Sequence, residues 1–170
     1  MSGLFVGRLV AENGVGTLVE ALDLFPGARI DVIGAGPEEA RLIGHPQVHI
    51  VGRVGPSEVQ QRLRKASYLV LPSLWYGTLP RPLIEAFANG VPVIASRIGP
   101  IAEIVEPGRN GLLFEPGSAR ELARRLAWAE AFPEKMRQMG QCARADYEAR
   151  FVADWSYQRL FGERRRAVRV

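Results

Sequence analysis

Short apolar runs alternate along this chain with stretches in which apolar residues recur every three or four positions. Residues 4–6 read as a strand, and residues 17–24 as a helix with Leu18, Ala21 and Leu22 on its apolar face. Residues 29–33 carry the next strand pattern. Gly34-Ala35-Gly36 ends it, and a helix is predicted to start near Pro37. Further strands fall at 48–51, 68–71, 91–95 and 112–114, separated by helices at 56–65, 81–88 and, briefly, 101–105. The strands are apolar at consecutive positions, as strands covered by helices on both faces are. Repeated βα units of this kind predict an α/β fold: a Rossmann-like, doubly wound parallel sheet of about six strands with helices on both faces.

From Ser118 onward the pattern is helical only, a helical C-terminal tail. Ser118 and Glu121 stand at capping-box spacing, and Pro133 suits the first turn of the following helix. A last helix is predicted from about residue 152, with Trp155, Leu160 and Phe161 as apolar contacts. No linker, repeat or low-complexity segment interrupts the pattern, so residues 1–170 are expected to form a single domain. The first strand begins within a few residues of Met1, which suggests half of a larger architecture begun at a domain boundary.

Composition sharpens the class. Hydrophobic residues make up 47% and charged residues 24%, a globular balance. No apolar run is long enough to span a bilayer, and MSGLFVGRL lacks the regions of a signal peptide. The single cysteine, Cys142, excludes an internal disulfide and fits a reducing, cytoplasmic setting. The net charge of +4 is weighted late: Arg120, Arg124 and Arg125 share one predicted helix, and Arg164, Arg165, Arg166 and Arg169 end the chain. Solvated helix faces account for most of this charge, with peripheral contact to a membrane surface as the sharper alternative. Nucleic acid is not expected as a partner, because no aromatic residues are interleaved with the arginines as stacking would require.

The richest chemistry lies in residues 71–96: strand, tight loop, buried helix, strand. A helix start offers open N–H groups and partial positive charge to a phosphate. In Gly77-Thr78-Leu79-Pro80-Arg81-Pro82, Thr78 and Leu79 can present amides, whereas the prolines cannot. Glu85 has two oxygens for adjacent hydroxyls, as a ribose diol presents them. Its alternative is an i,i+4 pair with Arg81, worth a few tenths of a kcal/mol, so the ligand role is favoured. Gly7-Arg8 closes the first strand, where a guanidinium can neutralise a diphosphate; pairing with a nearby carboxylate is the alternative. Gly52-Arg53-Val54-Gly55 ends another strand, where glycines let backbone approach a flat base or simply form a turn. Gly34-Ala35-Gly36-Pro37-Glu38-Glu39 resembles a dinucleotide fingerprint, but Glu39 replaces its third glycine and two carboxylates would repel a pyrophosphate. A tight turn is the better account, with NADP binding aided by Arg53 as the weaker one. His45 and His49 have no Cys, Asp or Glu at ligand spacing, so no metal is expected.

Together these motifs resemble the C-terminal, donor-binding domain of the group 1 glycosyltransferases, retaining enzymes of the GT-B fold. FVGRLVAENGVGTLVEAL, VHIVGRV, LVLPSLWYGTLPRPLIEAFANGVPVIAS and EIVEPGRNGLLFEPG stand in the family's order and spacing. The resemblance implies a nucleotide-sugar donor, hexosyl transfer to an acceptor hydroxyl, and neither a cofactor nor a metal. It implies that Gly7 and Arg8 meet the diphosphate and that Arg8 stabilises the leaving group. Arg53 and Val54 would line the nucleobase, Thr78 and Leu79 would touch the phosphates with Arg81 beside them, and Glu85 would hold the ribose. Two positions depart from the family. Gly77 replaces a glutamate that contacts the donor sugar, and Asn13 replaces a lysine that contacts the diphosphate. The N-terminal acceptor domain that completes this architecture is expected as a partner, so the chain alone is expected to transfer nothing. A degenerate, noncatalytic nucleotide-binding or assembly module is the alternative, ahead of an NADP-binding oxidoreductase domain.

Overall fold

Every residue of three strands, β4 (Tyr68–Leu71), β5 (Val93–Ser96) and β6 (Gly111–Phe114), is buried, which requires cover on both faces. The computed structural model, which describes residues 1–152, supplies that cover. With β1 (Gly3–Val6), β2 (Ile30–Ile33) and β3 (Val48–Gly52), these strands form a six-stranded parallel sheet in the order β3-β2-β1-β4-β5-β6. The connecting helices are α1 (Val15–Leu24), α2 (Pro56–Lys65), α3 (Arg81–Ala88), α4 (Gly99–Ile104), α5 (Ala119–Ala131) and α6 (Pro133–Asp146). This is the α/β, Rossmann-like doubly wound sheet that the apolar pattern predicts.

Alternation along each strand divides the core in two. Tyr68 and Val70 join Leu18, Leu22 and Leu126 on the face covered by α1 and α5. Leu69 and Leu71 join Leu63, Leu83 and Phe87 on the face covered by α2 and α3. Burying one such Leu or Phe contributes about 1.5–3 kcal/mol before chain entropy is subtracted. Helix α6 crosses the end of the sheet, with Met136 and Met139 in one core and Ala143 in the other.

The departures from the predicted elements have local causes. The segment after Gly36 is a single 3-10 stretch, Pro37–Arg41, held by an ion pair of 2.6 Å between Arg41 and Glu38 and ended before Gly44 (φ 78°). Helix α1 starts two residues early, because a 3-10 turn, Ala11–Asn13, leads into it through Gly14. Strand β5 starts at Val93 rather than 91: Val91 N–H still bonds to Ala86 of the preceding helix, and Pro92 has no N–H to give. At α5, Ser118 Oγ accepts from Glu121 N (3.2 Å), but the Glu121 carboxylate accepts from Glu115 N (2.8 Å), so half of the capping box forms. Pro133 stands in the first turn of α6. Trp155, Leu160, Phe161 and the terminal arginines lie outside the described residues. Among the described residues no helix is long and apolar enough to cross a membrane.

Polar groups near the amino ends of the strands are tied together. Asp146, at the end of α6, accepts from both guanidinium nitrogens of Arg109 (2.6 and 2.7 Å) and from the buried Asn110 Nδ2 (2.8 Å). Asn110 Oδ1 in turn accepts Glu106 N. The hydroxyl of the buried Tyr68 donates to Glu130 (2.8 Å), and burial first, then that bond, pushes its pKa well above the ordinary tyrosine value. Arg62 bridges Glu58 and Asp31. Arg125 donates to the Leu113 carbonyl (2.9 Å), so one of the three α5 arginines joins helix to sheet, while Arg120 and Arg124 are exposed.

Candidate functional site

Strand β1 continues toward β2 on one side, and β4 continues toward β5 on the other. Their carboxyl ends therefore part, and ligands of open α/β sheets bind in that crevice. A cleft of about 260 Å³ opens there, lined by Val6, Gly7 and Asn13 from the β1 side and by residues of the β4–α3 loop, including Trp75, Gly77 and Thr78. The two walls are joined beneath it. Leu74 N donates to the Glu12 carbonyl (2.8 Å), and Gly14, at φ 78°, passes so close to Pro72 that a Cβ would strike the Pro72 carbonyl.

The turn after β1 is held from its far side. Gly7 N bonds to Ile33 O (3.0 Å), Leu9 N to Ala35 O (3.0 Å), and Glu38 N to Leu9 O (2.9 Å). Gly34, at φ 142°, admits no Cβ because the Gly7 carbonyl fills that space. The Gly34-Ala35-Gly36 turn is thus a support for the Gly7–Arg8 turn. The NADP alternative is corrected on this ground: the room that such glycines would give a pyrophosphate is filled by the protein's own chain. Asn13 Nδ2 donates to the Arg8 carbonyl (2.8 Å), so one N–H of this amide braces the turn. The Arg8 guanidinium is exposed and has no hydrogen bond or ion pair among the described residues.

Across the cleft, α3 begins after Pro80 without a side-chain cap. Among the described residues the backbone N–H groups of Thr78 and Leu79 donate to no protein acceptor, which leaves two open amides in the loop just before the helix. Leu79 packs its side chain on the core, and Thr78 lines the cleft. Arg81 forms the i,i+4 pair that was the alternative for Glu85: its Nε donates to Glu85 Oε1 at 3.2 Å. A cation in a helix's first turn opposes the helix dipole, which an anion bound there would offset. Neither Arg81 nor Glu85 lines the cleft itself.

Arg53 and Val54 follow β3, two strands from β1, or about 10 Å at ordinary strand spacing. Val54 packs on the core, whereas Arg53 is exposed and without a partner among the described residues. The structure adds Arg97, directly after β5, in the same condition. It also adds Trp75, Ile98 and Pro100 to the lining. Arg97 and its neighbours follow the carboxyl end of a strand beside β4, a position readable from the sequence once strand order is known. His45 meets Asp23 (3.2 Å) and His49 meets Asp31 (3.3 Å), and among the described residues no three His, Cys, Asp or Glu come together.

Comparison with known proteins places this geometry. A family model described as glycosyl transferases group 1 matches residues 3–146. The chain is 32% identical over 152 residues to the sulfoquinovosyl transferase SQD2 of Arabidopsis thaliana, covering 85% of this chain and 29% of that protein. Among solved structures it superposes on Anabaena HepE in complex with UDP and glucose (TM-score 0.82, 22% identity, 95% of this chain and 47% of that one). It also superposes on the C-terminal domain of a group 1 glycosyl transferase, LpcC, from Francisella tularensis (TM-score 0.76, 22% identity, 88% and 86%). The chain spans less than half the length of the curated relatives it matches.

Proposed function

The chain belongs to the group 1 glycosyltransferases, and from that premise we propose that it is the donor-binding half of a GT-B enzyme, holding a nucleotide sugar in the cleft between β1 and β4. The observation that carries this reading is the open amides of the loop before α3. Among the described residues Thr78 N–H, at the cleft, and Leu79 N–H beside it have no protein acceptor, and the exposed Arg8 guanidinium, next to the cleft-lining Gly7, has no partner. The UDP and glucose bound by HepE, which shares this fold, are of the same chemistry.

In the proposed reaction the bond from the anomeric carbon to the diphosphate breaks. The acceptor hydroxyl oxygen bonds to that carbon and gives its proton to the departing diphosphate oxygen, with configuration retained. The departing diphosphate gains negative charge, which Arg8 and the Thr78 and Leu79 amides would stabilise without a metal. Asn13 would reach it with its second N–H, Arg53 and Val54 would border the base, and Glu85 would exchange Arg81 for the ribose hydroxyls. An N-terminal domain would supply the acceptor, so the chain alone would bind donor and transfer nothing. The cytoplasm is the proposed setting, with exposed Arg120 and Arg124 available to an anionic membrane surface.

Titration calorimetry of the chain with UDP, GDP, ADP and their sugar conjugates tests this. Heat with one base series supports the reading, and none with any base overturns it. A second reading, a noncatalytic nucleotide-binding module, is favoured by Gly77 and by the engagement of Asn13 with the Arg8 carbonyl. It predicts that the sugar adds nothing to nucleotide affinity.

A further inference from the structure

The loop after β4 leaves Leu74, Trp75 and Tyr76 in solvent, 44%, 68% and 74% exposed. Of the three, Trp75 alone lines the cleft. Its indole lies directly over Gly77, where a Cβ would collide with Cδ1 and Nε1. Gly77 has no positive φ, so its backbone would accept another residue, and a side chain there would have to displace the exposed indole. The absent side chain and the placed indole are therefore one feature.

We infer that Trp75 forms the sugar subsite of this cleft, its ring covering the C–H face of the donor sugar and its N–H donating to a sugar oxygen. The inference rests on the nucleotide-sugar reading above. An indole offers a large rigid face and one donor, and it has no acceptor. Pro80, Pro82, Ile98 and Pro100 give the lining apolar side chains, Asn13, Ser73 and Thr78 give it neutral polar ones, and among the described residues no carboxylate lines the cleft. Such a subsite reads a sugar by its ring face and through neutral hydrogen-bonding groups instead of through a carboxylate. It accordingly admits donors carrying an acidic substituent, which a carboxylate at position 77 would repel.

The test compares UDP, UDP-glucose and UDP-glucuronate, alongside GDP with GDP-mannose and ADP with ADP-glucose, on the 170-residue chain and its variants. In the series that binds, the sugar conjugate is expected to bind more tightly than the nucleotide. Trp75→Ala should reduce conjugate affinity about tenfold, the scale of one hydrogen bond plus ring contact, with free nucleotide unchanged within about twofold. Gly77→Ala should reproduce that loss by displacing the indole, and Trp75→Phe should retain part of the affinity. Because Trp75 is exposed, thermal melts should be unaltered by its replacement. If the conjugate binds no better than the nucleotide, or if Trp75→Ala weakens both equally or neither, the Trp75 subsite is overturned while nucleotide binding stands. If no nucleotide or conjugate binds, the underlying reading falls with it.

Discussion

The two edges of the sheet treat their polar groups in opposite ways. Near the amino ends, Asp146, Arg109 and Asn110 close on one another, Tyr68 closes on Glu130, and Arg62 closes on Asp31 and Glu58. At the carboxyl ends of β1, β3 and β5, the guanidinium groups of Arg8, Arg53 and Arg97 have no partner among the described residues. The amides of Thr78 and Leu79 after β4 are open as well. The arginines named at the amino edge meet carboxylates, and those named at the carboxyl edge do not. A polar group paired inside the protein stabilises the fold, whereas one kept in solvent near a cleft adds little to folding and retains its capacity for a ligand. The open groups that follow β1, β3, β4 and β5 lie where the strand-order rule also points.

The largest effect is expected at the closed edge. Asp146→Ala removes the closer of the two carboxylates that accept from the half-exposed Arg109, and one acceptor of the buried Asn110, and should cost about 1–3 kcal/mol in urea unfolding. Hydrogen bonds from Arg109 hold the Asp146 carboxyl below the usual carboxylate range, against the upward push of burial. A lowered folded pKa means that its contribution is present above the unfolded value, about 3.9, and is lost as pH falls through the folded one. Asp146→Asn should therefore flatten the acid limb of the stability curve without altering nucleotide affinity. A loss of binding at unchanged stability would erase the division between the edges.

Arg8→Ala makes the converse demand. Its side chain has no partner among the described residues, so stability should change by less than about 0.5 kcal/mol. Nucleoside diphosphate affinity should fall about 10- to 100-fold, the scale of a charge-assisted contact. Calorimetry reads the second quantity and a urea melt the first. Next in size, Tyr68→Phe should cost about 1–1.5 kcal/mol and leave binding unaltered, because the hydroxyl serves only Glu130. The folded pKa of Tyr68 is raised, so its contribution is present below pH 10, roughly, and declines as pH rises further. Tyr68→Phe should remove that alkaline decline.

The open edge was more legible in the sequence than the closed one. Gly7, Arg8, Arg53, Thr78 and Leu79 all follow apolar runs, and a strand end is a local signal. The partners of Asp146 are 36 and 37 residues away, and no periodicity connects α6 to the loop before β6. Strand bounds were legible to within one residue except at β5, where Pro92 delays the start by two. Side-chain packing was not: the indole over Gly77 and the Gly34 contact with the Gly7 carbonyl depend on chain crossings that only the fold creates. The competition for Glu85 was legible as a pair of alternatives, and the structure forms the Arg81 contact.

Asn13 lies between the two behaviours and gives the finest test. One N–H of its amide braces the Arg8 carbonyl at 2.8 Å, while the residue also lines the cleft. If it belongs to the closed class, Asn13→Ala should lower stability by about 0.5–1 kcal/mol and affect binding only through the loosened turn, a change of about twofold. If its second N–H meets the diphosphate, the same variant should weaken nucleotide binding about three- to tenfold. Asn13→Asp separates the two roles further, because a carboxylate can neither donate to the Arg8 carbonyl nor approach a phosphate without repulsion. The Ala and Asp variants would then agree in stability and differ in affinity, the more so at low salt, where screening is weakest. The arrangement favours the dual role: the amide has two N–H groups, and the fold uses one of them.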